Sequence, residues 1–182
     1  YASINNVEID NNSVIADDGN GNFGGGGFYS YNSSLDIINS DIVNNSSTYD
    51  GGGLMINNSS INLDNVNISN NQSISYSSGG GICCSDSDMI LSNSVVENNS
   101  TTHYGGGIAL FDSDAIINQS IIKSNNAGPD GGGIYFHNSV SEINYSEISN
   151  NSTGIDGGGL FLIYSNVSIN NATITNNIAL EG

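Results

Sequence analysis

GGGLMINNSSINLDNVNISNN, running from Gly51 to Asn71, holds the pattern on which the fold rests. Counted from the last glycine, Gly53, apolar residues stand at one and three (Leu54, Ile56), eight and ten (Ile61, Leu63), and thirteen and fifteen (Val66, Ile68). Ser59 falls at six and Asn71 at eighteen. A helix would return an apolar residue every three or four positions. Pairs two apart are the mark of short strands with alternate side chains turned inward.

The same register recurs along the chain. Glycine clusters end at Gly27, Gly53, Gly81, Gly107, Gly133 and Gly159, with spacings of 26, 28, 26, 26 and 26. A fixed period of this size signals a repeat architecture. At position one stand Phe28, Leu54, Ile82, Ile108, Ile134 and Leu160; at fifteen, Ile42, Ile68, Val96, Ile122, Ile148 and Ile174; at eighteen, an asparagine every time. Ala2 to Asn12 fits the same register as a partial unit. The pattern predicts an all-β parallel solenoid of about seven coils, ~26 residues and three short strands per coil, stacked about 4.8 Å apart. Residues 1–182 make one domain. Tyr1 and Gly182 both fall mid-pattern, which leads us to expect a segment of a longer array, or neighbouring subunits over its ends.

The pairing of GGG[IL] with [IV]xxN (Ile42–Asn45, Ile68–Asn71, Val96–Asn99, Ile148–Asn151, Ile174–Asn177) resembles the polymorphic outer membrane protein repeat. The chain departs from that family in carrying Ile or Val where the family has Phe, and a third Gly where it has Ala. The resemblance implies a right-handed β-helix and a surface adhesin-like role, outside the cell, as an adhesin or filament component without catalysis. The alternative on this fold is a polysaccharide-active, pectate-lyase-like enzyme. Against it, the chain has no arginine, one lysine, and two histidines in different columns.

A formal charge of −17 argues against nucleic acid, which needs cationic groups to displace its counterions, and against an anionic membrane surface. No apolar run reaches the roughly 18 residues of a membrane span. Expected partners are therefore other copies or subunits of a fibre, or host and surface glycans.

Three sets of candidate residues follow. Beside the glycine clusters the outward positions are aromatic or apolar, and Tyr29, Tyr31, Met55, Phe111, Tyr135, His137 and Phe161 are expected to form a contact face next to a strip of bare backbone. N-x-S/T sequons occur 16 times, and Asn44, Asn98, Asn150, Asn67, Asn118, Asn144 and Asn166 are candidate glycan acceptors. Asp18, Asn20 and Asn22 alternate oxygen ligands as a calcium loop does, although the loop's sixth-position Gly and twelfth-position Glu are missing. No other cofactor is indicated. Cys84 falls in a core column; Cys83 is expected to point outward, where it could bond another chain.

Overall fold

The computed structural model describes residues 1–15 and 24–181; the calcium reading at Asp18, Asn20 and Asn22 lies outside them. The chain winds as a parallel β-solenoid. One coil lays down Leu54–Asn57, Ser60–Asp64, Asn67–Ser69 and Gln72–Ser73, and each strand pairs in parallel with its counterparts before and after. Ile68, for example, sits opposite Ile42 and Val96. The result is three seven-stranded sheets and one six-stranded sheet. The expected three strands per coil are thus joined by a fourth of two residues. Most of its residues, as in Ser46–Ser47 and Ser100–Thr101, are polar, so hydrophobic alternation does not announce it.

The abundance of asparagine follows from the corners. In one coil Asn58, Asn65 and Asn70 take φ of 46, 55 and 57°, and the same three corner positions are left-handed in the other complete coils. Among residues with a Cβ, Asn adopts this region most readily. Inside, the core columns are dry: Ile42, Ile68, Val96, Ile122 and Ile148 are fully buried. Each such aliphatic side chain contributes roughly 1.5–3 kcal/mol by leaving water.

Polar columns share the interior, and two of them show how they are satisfied. Serine hydroxyls accept the backbone N–H of the preceding coil, as in Ser59 N–H to Ser87 Oγ at 3.1 Å and Ser87 N–H to Ser113 Oγ at 2.9 Å. The asparagine at position eighteen does more. Asn71 Nδ2 donates to Ile42 O at 2.8 Å and to Asn99 Oδ1 at 3.0 Å. Its Oδ1 accepts the backbone N–H and the side-chain Nδ2 of Asn45, each at 3.0 Å. Both protons and both lone pairs are used, so a fully buried amide carries no desolvation penalty for an unmet partner.

The glycine triplet is explained by its own fold, position by position. Gly51 has φ +69°, which a Cβ would strain. A Cβ on Gly52 would lie 2.4 Å from Gly80 O in the next coil and 2.4 Å from Gln72 C in the returning strand. One on Gly53 would meet Gly81 O at 2.7 Å and the Asn71 amide at 3.0 Å. The triplet and the distant asparagine are therefore one device: glycine leaves the room that the amide column occupies. This corrects the expectation of a bare strip open to a partner, because the glycines are almost all buried and the neighbouring coil already lies against them.

Candidate functional site

The strands that follow the glycines, Phe28–Tyr31 through Leu160–Ile163, turn their second and fourth residues away from the main core. The second residues run Tyr29, Met55, Cys83, Ala109, Tyr135, Phe161 in register. These were expected on the surface. Two of the seven contact-face residues are instead buried, Met55 at 3% and Tyr135 at 5% exposure. Tyr29, Phe111, His137 and Phe161 are half-buried, and only Tyr31 stands out at 55%. Cys83, expected to face outward for bonding, is also buried. Loop side chains at the corner before the triplets lie over part of this ladder: Tyr104 on Tyr135, with His103 and Tyr76 beside it. Met55, Cys83 and Ala109 form a second small core against Tyr29 and Phe111.

Stacked rings run along this face. Tyr104, from a loop, lies 4.5 Å from Tyr135 and nearly parallel to it; Tyr135 lies 5.5 Å from Phe161. His103 covers Tyr104 from the other side at 3.7 Å, and Tyr76 meets His103 edge-on at 6.4 Å. Rings stacked in this way hide their faces from solvent.

The row is broken in one place. Three adjacent coils carry no ring in this row but Met55, Cys83 and Ala109, and the last two are small. Over Met55 and Cys83 a hollow of about 420 Å³ remains, walled by Tyr76, His103, Tyr104 and Phe111. The two-residue insertion ahead of Gly79 supplies part of the wall: Tyr76, in the segment it lengthens, takes φ 48° and is 91% exposed. Polar groups at the rim are Asp50, Asn57 and Ser85. Asp50 accepts the Ser78 N–H at 2.6 Å. Burial pushes its carboxyl up from the ordinary carboxylate range, against the lowering effects of that bond and of His103. The Cys83 thiol is held well above its usual range by burial first, then by Asp50 and Cys84, so it is a neutral floor and not a nucleophile. The hollow therefore offers an apolar base, ring walls and a rim of acceptors and donors. Sequence reading missed it because the rings were read as a continuous face; the two small residues in that row were the available signal.

The candidate glycan acceptors fall into two groups. Asn44, Asn98 and Asn150 are exposed at a corner, with φ near 55°. Asn67, Asn118 and Asn144 are half-buried on strands, and Asn166 is exposed. Asp130 and Asp156, adjacent in the ladder, are joined by an isolated bridge.

All these features define a parallel β-solenoid with an irregular, ring-walled hollow beside its glycine ladder. The family described as right handed beta helix region matches residues 26–180, and the chain belongs to it. Neither the comparison with curated proteins nor that with solved structures gives a match.

Proposed function

We propose that this chain is a non-catalytic, extracellular solenoid of the adhesin type, and that the hollow over Met55 and Cys83 takes a sugar ring of a surface glycan. The carrying observation is that the ring row breaks in one place, and the break is walled by aromatic side chains and rimmed by hydrogen-bonding ones. A pyranose presents apolar C–H faces and equatorial hydroxyls, and so matches both. A concave site favours a glycan over packing between fibres, since Met55 and Tyr135 of the aromatic face that packing would use are buried and Tyr104 lies over part of it. Non-catalytic action is supported by the rim, where Asp50 is the one carboxylate; glycosidases use a pair. The extracellular reading rests on the resemblance to surface adhesins and on the density of sequons.

The test is a glycan array probed with the native chain and with Cys83→Phe. Phenylalanine or tyrosine already occupies this row at Tyr29, Tyr135 and Phe161, so the substitution suits the ladder while filling the hollow. Binding by the native chain that is lost in the variant is expected. Undiminished binding by the variant moves the site elsewhere, and shortening of a polysaccharide by the native chain makes the protein an enzyme.

A further inference from the structure

The strands Ser60–Asp64, Asp88–Ser92, Asp114–Asn118 and Val140–Asn144 form part of a second ladder with one face in solvent. The middle residue of each points outward. In most coils it is polar, as in Asp36, Asn62, Glu142 and Ser168. In two neighbouring coils it is Ile90 and Ile116, paired in register and 44% and 41% exposed. Val140 of the next coil, 65% exposed, extends the strip. Together they line a shallow groove of about 370 Å³. The fold does not require these side chains: the same row is filled by Asn62 on one side and Glu142 on the other.

Carboxylates run along the same strip. Asp88 and Asp114 stand in register on the ladder, one strand spacing apart, and Glu142 follows Ile116 in the isoleucine row. Beyond the corner, Asp86 and Asp112 line an adjoining groove of about 720 Å³ together with Asp88 and Asp114. Only neutral donors are seen on them: Val140 N–H to Asp114 at 2.7 Å, Asn138 Nδ2 to Asp112 at 2.6 Å, Ser85 Oγ to Asp86 at 3.2 Å and Asn144 Nδ2 to Glu142 at 3.4 Å. No cation lines either groove. The chain's single lysine, Lys123, lies on another ladder and is held by Glu97 at 3.1 Å. An apolar stripe beside an uncompensated acidic one has a chemical complement: aliphatic side chains flanked by positive charge.

We propose that the Ile90–Ile116–Val140 strip and the carboxylates beside it dock an extended segment of a partner protein that presents leucine-like side chains flanked by lysines or arginines. A second copy of this chain is disfavoured as the occupant, because it would bring the same acidic stripe and a formal charge of −17. The site lies on a different ladder from the hollow, and the two readings stand or fall separately.

The experiment uses the whole chain immobilised and two synthetic peptides, one alternating Lys and Leu, the other alternating Lys and Ser. Binding of the Lys/Leu peptide is expected to exceed that of Lys/Ser, and to fall by about tenfold or more in the Ile90→Asn, Ile116→Asn double variant. Asn is native to this row at Asn62, so the fold is kept, and a thermal melt confirms it. A second pair, Asp86→Asn with Asp112→Asn, places at these left-handed corners the residue that Asn32, Asn58 and Asn138 already supply there. This pair is expected to weaken Lys/Leu binding and to flatten its dependence on salt between about 0.05 and 0.5 M. Equal binding of the two peptides, or indifference of Lys/Leu binding to the isoleucine pair, overturns the proposal. So does sedimentation showing that the native chain self-associates through this strip.

Discussion

Replacing Asn99 by alanine tests the amide column where it is most enclosed. Asn99 Nδ2 donates to Ile68 O at 2.9 Å and to Asn125 Oδ1 at 3.1 Å, and Asn99 Oδ1 accepts Asn71 N–H at 2.9 Å and Asn71 Nδ2 at 3.0 Å. Alanine removes four bonds. It leaves the Ile68 carbonyl, the Asn71 N–H and one Asn71 amide proton without their partner in a buried column; Asn125 Oδ1 still holds the Asn99 N–H at 3.0 Å. At a net 0.5–1.5 kcal/mol per bond, plus desolvation of the orphaned groups, the cost is about 4 kcal/mol. Asn177 makes three such bonds, two accepted from Asn151 and one donated to Ile148, but is half-buried, and water can replace the lost partner. Its alanine variant is expected to cost about 1–2 kcal/mol. Asn98→Gly, at an exposed corner with φ 54°, is the neutral control. Urea unfolding followed by circular dichroism gives the three values, and amide exchange in coils on either side of Asn99 reports where the loss is felt. If Asn99→Ala costs under about 1.5 kcal/mol, or no more than Asn177→Ala, the column is packing filler and the argument fails.

Gly80→Ala would set a Cβ 2.4 Å from Gly106 O and 2.5 Å from Ser100 O, both backbone, so coils must part; a loss of about 3 kcal/mol or more, or an insoluble chain, is expected from a thermal melt. Asp50 has its carboxyl raised by burial, so the stability it gives is full below the unfolded value and is lost as pH rises through the folded one. Asp50→Asn keeps an oxygen for the Ser78 N–H and should melt higher than the native chain at neutral pH, with the gain vanishing in acid. Burial raises the Cys84 thiol to about 12 and holds Cys83 well above its ordinary value, so neutral thiols stabilise the fold below the unfolded value, and that contribution fades as pH climbs through the alkaline range. A thiol reagent at mildly alkaline pH should label neither cysteine until urea is added; rapid labelling of Cys83 in the native chain would show that the hollow's floor is open.

The period, the parallel stacking and the core columns were legible because several inward columns repeat aliphatic residues, as Ile42, Ile68, Val96, Ile122 and Ile148 do. The link between the glycines and the asparagines was visible as a motif but not as a mechanism. Their spacing does not reveal that a Cβ on Gly53 would lie 3.0 Å from the Asn71 amide, a closeness that only the closed coil creates. The fourth strand was hidden because Ser46–Ser47 and its counterparts pair through backbone with few apolar side chains to mark them. Exposure of the aromatic row was misjudged for a different reason. Alternation tells which way Met55 and Tyr135 point, but not that a loop residue such as Tyr104 will lie on them. The isoleucine strip is visible in the sequence as a break in a row otherwise filled by Asp36, Asn62, Glu142 and Ser168, but nothing in the spacing says that this break faces solvent.

The amide column gives the solenoid a sense of direction. From Asn45 through Asn71, Asn99, Asn125 and Asn151 to Asn177, every side chain donates to the oxygen of the coil that follows. The side-chain dipoles therefore align head to tail, as peptide units do along a helix, and each bond polarises the next. One consequence concerns assembly. Two such arrays can be joined head to tail with the column unbroken, because a donor then meets an oxygen. Joined tail to tail, they would set like ends of the column against each other. A molecule built of near-identical coils is in this respect a vector, with a start and a finish written in its asparagines.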